Sequence, residues 1–527
     1  MAQRRHNFIS GAAVLALAVA VTKVLGALYK IPLGNLLDKE GMAHFYAAYN
    51  IYNLLLVLST AGLPLALSRL VSRAAAQGRR NAQRRIFRTA LALLAVIGLV
   101  CSAVMCLFPQ VLSGLLHDSL AAPAIRTLGP AVLFVCLTSA IRGYTQGLGD
   151  MTPTAVSQMT ESAGKLVIGL ALCLMLLHRG ADSSLCAAGA IAGVTAGSLL
   201  SLTVLTVFLL RRRDRAAVDV PPARSAVLRE LLTAGIPITL GAAGMSLITL
   251  LDQALVMSTL QNTLGYTEAA ATALYGEYTF GMTLFALPPS FIYPVTVSLV
   301  PDISAALARG DRPAAGRSAA AALKLPTLIA LPTGAGLSVL AGPILRLLYP
   351  AVPDTAAAAA YHLTILGIAC IFVCLMVATN GVLQAYGKEY IPVVTLLCGG
   401  ILKIITNYLM VGDPATNVRG APVSTLYCYG LIVVLNLIAI ARCVPERPSY
   451  LRLFARPVLI TAVMALAARS SYGLLARSLP ERWAVLPAIA VAVVVYGVLV
   501  LALGAVTRKD VLDLPKGEKI ARMLHLH

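Results

Sequence analysis

The sequence predicts an all-α polytopic membrane protein: fourteen transmembrane helices, arranged as two parallel-repeat six-helix lobes plus two C-terminal helices. Three observations carry that prediction. The chain of 527 residues is 58% hydrophobic and only 12% charged. Its basic residues collect in every second loop. A stretch beginning at Phe134 returns, without a gap, at Phe372.

The mean hydropathy is +0.83. A hydrocarbon core about 30 Å thick needs about 20 apolar residues per helix. Helices satisfy their own backbone polar groups in lipid, and the ten-residue alternating segments of an outer-membrane barrel are absent. A formal charge of +20 in a soluble chain would suggest nucleic acid. Here the positive-inside rule accounts for it, and no nucleic-acid partner is expected. The N-terminal "MAQRRHNFISG" leads into an apolar run too long for a signal-peptide core, so it reads as helix 1. The ten cysteines show neither a CxxC pair nor metal-ligand spacing. They read as small core residues, and no metal site is expected. The histidines are scattered, and His525 and His527 receive no role.

Fourteen apolar segments follow, at about 9–33, 43–74, 87–110, 124–148, 154–178, 184–210, 227–259, 271–300, 318–346, 358–386, 390–411, 420–442, 453–476 and 483–506. Even-numbered loops are basic. Loop 2–3 has Arg69, Arg73, Arg79, Arg80, Arg84, Arg85 and Arg88. Loop 6–7 has "RRRDR" from Arg211. With Arg142, Lys388 and both termini, one side collects thirty of the 42 basic residues. Eight lie on the other side, Lys39 among them. The asymmetry predicts that both termini are cytoplasmic. The expected divisions are 1–215 for the N-lobe (helices 1–6), 216–445 for the C-lobe (helices 7–12), and 446–527 for helices 13–14 with a cytoplasmic tail.

The internal repeat orders these helices. "FVCLTSAIRGYTQGLGDMTPTAVSQMTESAGKLVIG" aligns with "FVCLMVATNGVLQAYGKEYIPVVTLLCGGILKIITN" at a constant offset of 238. Gly143 meets Gly381, Gln146 meets Gln384, Gly149 meets Gly387, and Lys165 meets Lys403. A weaker echo pairs "LPLALSRLVS" near Pro64 with "YPVTVSLVPD" near Pro294. Helices 4–5 thus match helices 10–11. A shift of six keeps the same orientation in the membrane, so the lobes are parallel repeats.

Parallel repeats are one plan by which secondary transporters alternate access around a central site. No GxxxxGK[ST], GxSxG or HExxH occurs, nor a carboxylate pair in a soluble segment. The chain is not expected to be an enzyme or to hold a resident cofactor. Work would come from a Na+ or H+ gradient, the membrane potential or substrate supply. Four lysines lie inside apolar segments: Lys23, Lys30, Lys165 and Lys403. Lys23 and Lys30 are two turns apart, on one face, about 10 Å along the axis. The intramembrane acids are Glu161, Asp252 and Glu277. Glu161 and Lys165 stand four residues apart and can pair. Lys30, near a helix end, can instead snorkel. Charge at mid-membrane usually faces a water-filled interior, and a lysine-lined cavity favours phosphate or pyrophosphate. Tyr46, Tyr49, Asn50, Tyr52 and Asn53 crowd the start of helix 2. The tyrosines suit a membrane interface, while Asn50 and Asn53 could bind a sugar. Asn380 and Gln384 suit helix–helix hydrogen bonds equally well.

"TKVLGALYKIPL", followed by "EGMAHFYAAYNIYNLLLVLSTAGLPLALSRLVS", resembles the polysaccharide and lipid II flippase branch of the multidrug/oligosaccharidyl-lipid/polysaccharide exporter superfamily. The nearest group is stage V sporulation protein B-like. "IPITLGAAGMSLITLLDQ", "SLVPDIS" and "KIITNYLM" extend the resemblance over essentially the whole chain. It implies a V-shaped central cavity, and transfer of an undecaprenyl-pyrophosphate-linked saccharide from the cytoplasmic to the outer leaflet. The peptidoglycan precursor lipid II is the leading cargo. It implies that Lys23, and Lys30 or Tyr29 beside it, serve the pyrophosphate. Some relatives bind sodium at positions that fall on Asp252 and Asn407, with Thr425 a third. Their second helix-11 acid falls near Val411, which has no side-chain ligand, and Lys403 one turn before Asn407 could replace a cation.

The expected substrate cavity therefore comprises Lys23, Lys30, Asn50, Asn53, Glu161, Lys165, Glu277 and Lys403, and the ion site Asp252, Asn407 and Thr425. The expected location is a bacterial plasma membrane, with the bilayer and cell-wall synthesis proteins as partners. Two other readings remain open: a cation-coupled multidrug or metabolite antiporter, and a non-transporting scaffold of cell-wall assembly.

Overall fold

A computed structural model describes residues 2–211, 219–444 and 449–505; for residues 2–17, 237, 240, 241, 294, 295, 297, 298 and 452 it describes the backbone alone. The expected basic residues Arg4, Arg5, Arg212, Arg213, Arg215, Arg447, Arg452 and those from Arg508 onward lie outside the described side chains.

Among the described residues the secondary structure is entirely helical. The first half carries α1 (Ala2–Leu36), α2 (Lys39–Thr60), α3 (Leu63–Ala76), α4 (Arg80–Leu107), α5 (Pro109–Leu115), α6 (Ala122–Gly147), α7 (Thr152–His178), α8 (Ser183–Arg211) and α9 (Arg224–Ser258). The second carries α10 (Glu268–Phe285), α11 (Leu287–Ala308), α12 (Arg312–Val339), α13 (Ala341–Leu348), α14 (Pro353–Ala385), α15 (Tyr390–Val411), α16 (Gly420–Cys443), α17 (Tyr450–Leu475) and α18 (Glu481–Ala502). Twelve helical stretches among the described residues are long and apolar enough to cross a membrane. They fall on twelve of the fourteen expected spans. The other two, 9–33 and 271–300, fall on α1 and on α10 with α11.

The chain forms two compact units. The first comprises Met1–Thr279 with Asn407–Val418, the second Phe280–Thr406 with Arg419–His527.

Within the first unit, the connections sort to two ends. At one end, Ser183 Oγ donates to Asp38 Oδ2 (2.5 Å), Ser184 Oγ to the Leu120 carbonyl (2.6 Å), Ser119 Oγ to Glu268 Oε1 (2.6 Å), and Gln261 Nε2 to the His117 carbonyl (2.7 Å). These bonds join loops 1–2, 3–4, 5–6 and 7–8. At the other end, the carboxylate of Asp219 in loop 6–7 accepts from the backbone N–H groups of Asn81 (2.8 Å) and Ala82 (2.9 Å), capping α4 after loop 2–3. Odd and even loops thus separate as the basic-residue alternation requires. Burial alone would raise the Asp219 carboxyl; the backbone N–H bonds outweigh it and hold the group below its ordinary range.

The repeat is visible inside each unit. Gly149 and Gly387 adopt φ of +85° and +70°, the left-handed conformation that costs glycine least. Each ends its helix the same way. Gly149 N–H donates to the Gln146 carbonyl and Asp150 N–H to Thr145; Gly387 N–H donates to Gln384 and Lys388 N–H to Leu383, at 2.9–3.0 Å. Gly143 lets α6 approach α3, since a Cβ there would lie 2.7 Å from the Pro64 carbonyl oxygen. Its mate Gly381 does the same for α14 against α11, where a Cβ would lie 2.5 Å from Thr296 Cγ2. The partners are the segments of the weaker echo.

Each unit packs its own core. In the first, Leu67, Phe87, Ile141, Leu205 and Leu231 are buried together, with the Phe87 and Tyr144 rings 4.5 Å apart. In the second, Ile303, Leu323, Val382, Ile440 and Leu453 play that part. Large apolar side chains such as Val96, Leu99, Val167, Leu397 and Val493 are exposed, which suits a lipid-facing surface rather than water.

Candidate functional site

The site assembles in the first unit from α1, α2 and α7. Lys30 on α1 donates from Nζ to Tyr46 Oη at 3.2 Å. Its ammonium lies 4.7 Å from the Tyr46 ring centroid and 5.2 Å from that of Tyr49. Lys165 on α7 donates to Tyr49 Oη at 3.3 Å, and lies 4.8 Å from the Tyr49 centroid and 5.1 Å from that of Tyr29. Both ammoniums stand close to one ring, so the two charges are no more than about 10 Å apart. Cation–π contacts contribute about 0.5–2 kcal/mol each, depending on desolvation. The rings are themselves fixed: Phe45 stacks on Tyr49 at 5.7 Å and 12°, and the buried Tyr29 hydroxyl donates to the Ala190 carbonyl at 2.8 Å. Two like charges are held near each other on an aromatic floor. Lys23, two turns earlier on α1, is exposed.

The expected Glu161–Lys165 pair does not form among the described residues. Glu161 Oε2 instead accepts from Arg142 Nη2 at 2.9 Å. The same guanidinium donates to Ser157 Oγ (2.9 Å) and Ser201 Oγ (3.0 Å), tying α6 to α7 and α8. Arg142, assigned by charge counting to the basic end, lies within α6 and is only 13% exposed. Its planar fork reaches three acceptors on two helices at once, Ser157 and Glu161 on α7 and Ser201 on α8. Glu277 on α10 pairs with Lys39 at the start of α2, 3.0 Å away. Gly276 permits this, because a Cβ there would lie 1.9 Å from the Lys39 carbonyl oxygen.

A second polar seam runs through α2, α9 and the end of α15. Asn50 Nδ2 donates to Gln253 Oε1 at 2.8 Å, both side chains being buried. Asn50 and Asn53 line a cavity of about 180 Å³ with Val57, Met245, Ser246 and Thr249. Next to Gln253, Asp252 Oδ1 accepts from Asn407 Nδ2 at 3.1 Å. Both residues are buried, and no described donor reaches Asn407 Oδ1. A carboxylate beside an unpaired amide oxygen is a donor set that suits a hard cation. Lys403 and Thr425 belong to the second unit and are buried. The Thr425 hydroxyl donates to the Ala421 carbonyl at 3.0 Å. Also in that unit, Asn436 Nδ2 donates to Asn380 Oδ1 at 2.8 Å, a helix–helix bond.

A sequence profile for "Polysaccharide biosynthesis protein" matches residues 8–307, more than half of the chain. The chain belongs to the polysaccharide biosynthesis protein family. A second profile, MatE, matches residues 237–409. Three proteins of Bacillus subtilis (strain 168) are similar over most of their length. The uncharacterized membrane protein YabM is 26% identical, covering 99% of this chain and 97% of the relative. Stage V sporulation protein B is 24% identical, over 84% and 85%. Lipid II flippase MurJ is 24% identical, over 88% of each. Among solved structures, lipid II flippase MurJ in an inward closed conformation superposes with a TM-score of 0.70 at 14% identity, covering 94% of this chain and 98% of that one. The fold is that of the multidrug/oligosaccharidyl-lipid/polysaccharide exporter superfamily, and the chain is a multi-pass membrane protein of its flippase and transporter group.

For this family member, sequence reasoning finds the lysines but misses what holds them. Tyr46 and Tyr49 look interfacial by residue type alone. Their spacing of three, together with Phe45, marks a helix face that packs inward. Arg142 reads as a loop charge because it stands toward the end of an apolar segment. The buried pair of His44 Nδ1 and Asp118 Oδ1, 2.7 Å apart, leaves no sequence signal at all.

Proposed function

We propose that this chain is a flippase for an undecaprenyl-pyrophosphate-linked saccharide, with the peptidoglycan precursor lipid II as its cargo, acting in a bacterial plasma membrane with both termini cytoplasmic. The observation that carries the reading is the pair of ammoniums, Lys30 and Lys165, gathered around Tyr49. A pyrophosphate needs fixed positive charge that is not cancelled by a neighbouring acid. Glu161 is engaged by Arg142 and Glu277 by Lys39, so these two acids are answered by other cations. Lys23 on the same helix extends the cationic line, and the polar cavity at Asn50 and Asn53 has the chemistry for sugar hydroxyls. The prenyl chain stays in lipid while the headgroup crosses by alternating access. A membrane potential negative inside favours outward anion movement by about 2.3 kcal/mol per charge per 100 mV. The named relatives, MurJ and stage V sporulation protein B, support the same class.

Asp252 with Asn407 is the proposed coupling site, for Na+ or H+. The MatE match favours a second reading, a cation-coupled antiporter; paired lysines are a poor receptor for a cationic drug. The test is outer-leaflet lipid II in cells depleted of their own flippase and expressing either wild type or Lys30→Ala/Lys165→Ala. Wild type should restore exposure and the variant should not. Restoration by both would remove the lysines from the mechanism. Failure of well-expressed wild type would remove lipid II as cargo.

A further inference from the structure

Away from the lysines, at the basic end of the first unit, α4 and α9 pack together and leave a groove of about 460 Å³. Small-molecule sites run from about 300 to 1,000 Å³. Arg88 and Arg224 line it, one from each helix, and both are exposed. Ala92, Leu93 and Val96 from α4 and Leu228 from α9 give it an apolar wall, and Thr89 and Ser225 complete the lining. From Arg88 to Val96 is eight residues of helix, about 12 Å, so charge sits at one end of the α4 side and an apolar track runs on from it.

Among the described residues, the neighbouring acids do not answer these guanidiniums. Asp219 is used by the first amides of α4, and Glu230 pairs with Arg73 at 3.7 Å. Among the described residues neither Arg88 nor Arg224 has a hydrogen bond or ion pair. The stretch from Arg79 to Arg88 holds five arginines and no acid, after which α4 turns apolar. A double guanidinium matches phosphate geometry. Basic pockets between spanning helices at the basic membrane face are where anionic headgroups bind.

We propose that the α4–α9 groove is a binding site for an anionic phospholipid of the surrounding leaflet. The phosphodiester would lie between Arg88 and Arg224, with the first part of an acyl chain along Ala92, Leu93 and Val96. Charge complementarity selects the head and the apolar track selects a lipid over a soluble anion. The site is separate from the cargo site and does not depend on the proposed function.

The test is native mass spectrometry of the full chain in detergent, titrated with phosphatidylglycerol or phosphatidylcholine. Wild type should retain phosphatidylglycerol about thirty-fold better, the scale of two arginines at a membrane surface. Arg88→Gln/Arg224→Gln should bind both lipids alike. Ala92→Trp, which fills the groove and keeps both charges, should lose the preference too. Arg309→Gln/Arg317→Gln, two exposed arginines of the second unit, should behave as wild type. Equal retention of the two lipids by wild type would overturn the proposal. So would an undiminished preference in either groove variant, or competition by glycerol phosphate at the same concentration as the lipid. Elution as a single size-exclusion peak identifies variants that are folded.

Discussion

Arg142→Leu tests the reassignment of Glu161. The substitution removes three hydrogen bonds of 2.9, 2.9 and 3.0 Å and leaves the Glu161 carboxylate without its cation. Breaking a fully buried ion pair costs about 3–5 kcal/mol, and an exposed pair contributes about 0–1 kcal/mol. Glu161 is 26% exposed and Arg142 13%, so an intermediate loss of about 2–3 kcal/mol is expected. The sharper quantity is the coupling energy. Arg142→Leu combined with Glu161→Leu should recover about 1.5–2 kcal/mol relative to the summed single variants, because the stranded carboxylate is gone. Lys165→Met combined with Glu161→Leu should be additive within about 0.5 kcal/mol. The assay is equilibrium unfolding of the purified chain in mixed micelles, followed by tyrosine fluorescence and far-ultraviolet circular dichroism. Coupling at Lys165–Glu161 with additivity at Arg142–Glu161 would refute the reasoning and restore the pairing expected from sequence.

Three other outcomes follow from local geometry. Gly276→Ala should destabilise by at least about 1–3 kcal/mol, since its Cβ meets the backbone of Lys39, which cannot swing aside; Gly473→Ala in α17, with open space around it, should be neutral or stabilising in the same unfolding assay. Asp219→Ala should speed amide hydrogen exchange at Asn81 and Ala82. Because the folded Asp219 carboxyl is held low, the wild-type protection should be full above the unfolded value of about 3.9 and should fade as pH falls through the lower folded value; protection that weakens between pH 6 and 5 would contradict this. Asp252→Asn and Asn407→Ala should each abolish any thermal stabilisation by NaCl over choline chloride, and a sodium effect that survives both changes would place the ion elsewhere.

What the sequence made legible was whatever is written locally or periodically. Apolar length marks a span without reference to any partner, and the basic loops mark one end because charge sums over short distances. The repeat went further. Gly149 and Gly387 are spaced by the same offset as Gly143 and Gly381. The first pair supplies a left-handed helix end in each unit, and the second a close helix crossing. Glycines held by such demands resist drift in a way that Leu and Val do not, so a gapless match through them carried three-dimensional content.

Partner choice was not legible, and the lysines show why. A lysine four residues from a glutamate on one helix is a pairing that sequence offers at no distance cost, so the Glu161–Lys165 pair looked natural. In the folded unit each of the two faces a different neighbour. Glu161 meets a guanidinium from α6 that arrives with two serines already in reach, and Lys165 meets the edge of an aromatic row on α2. Neither neighbour is close in sequence: Arg142 is 19 residues from Glu161, and Tyr49 is 116 from Lys165. Intramembrane charge is identified by its setting, but its use depends on which opposite charges are already engaged. Here Glu161 and Glu277 are answered by Arg142 and Lys39, two cations that loop counting had assigned to the membrane ends. That reassignment is what leaves Lys30 and Lys165 with only aromatic rings and hydroxyls against them among the contacts described, the condition under which a lysine inside a membrane segment can serve an anion that passes through.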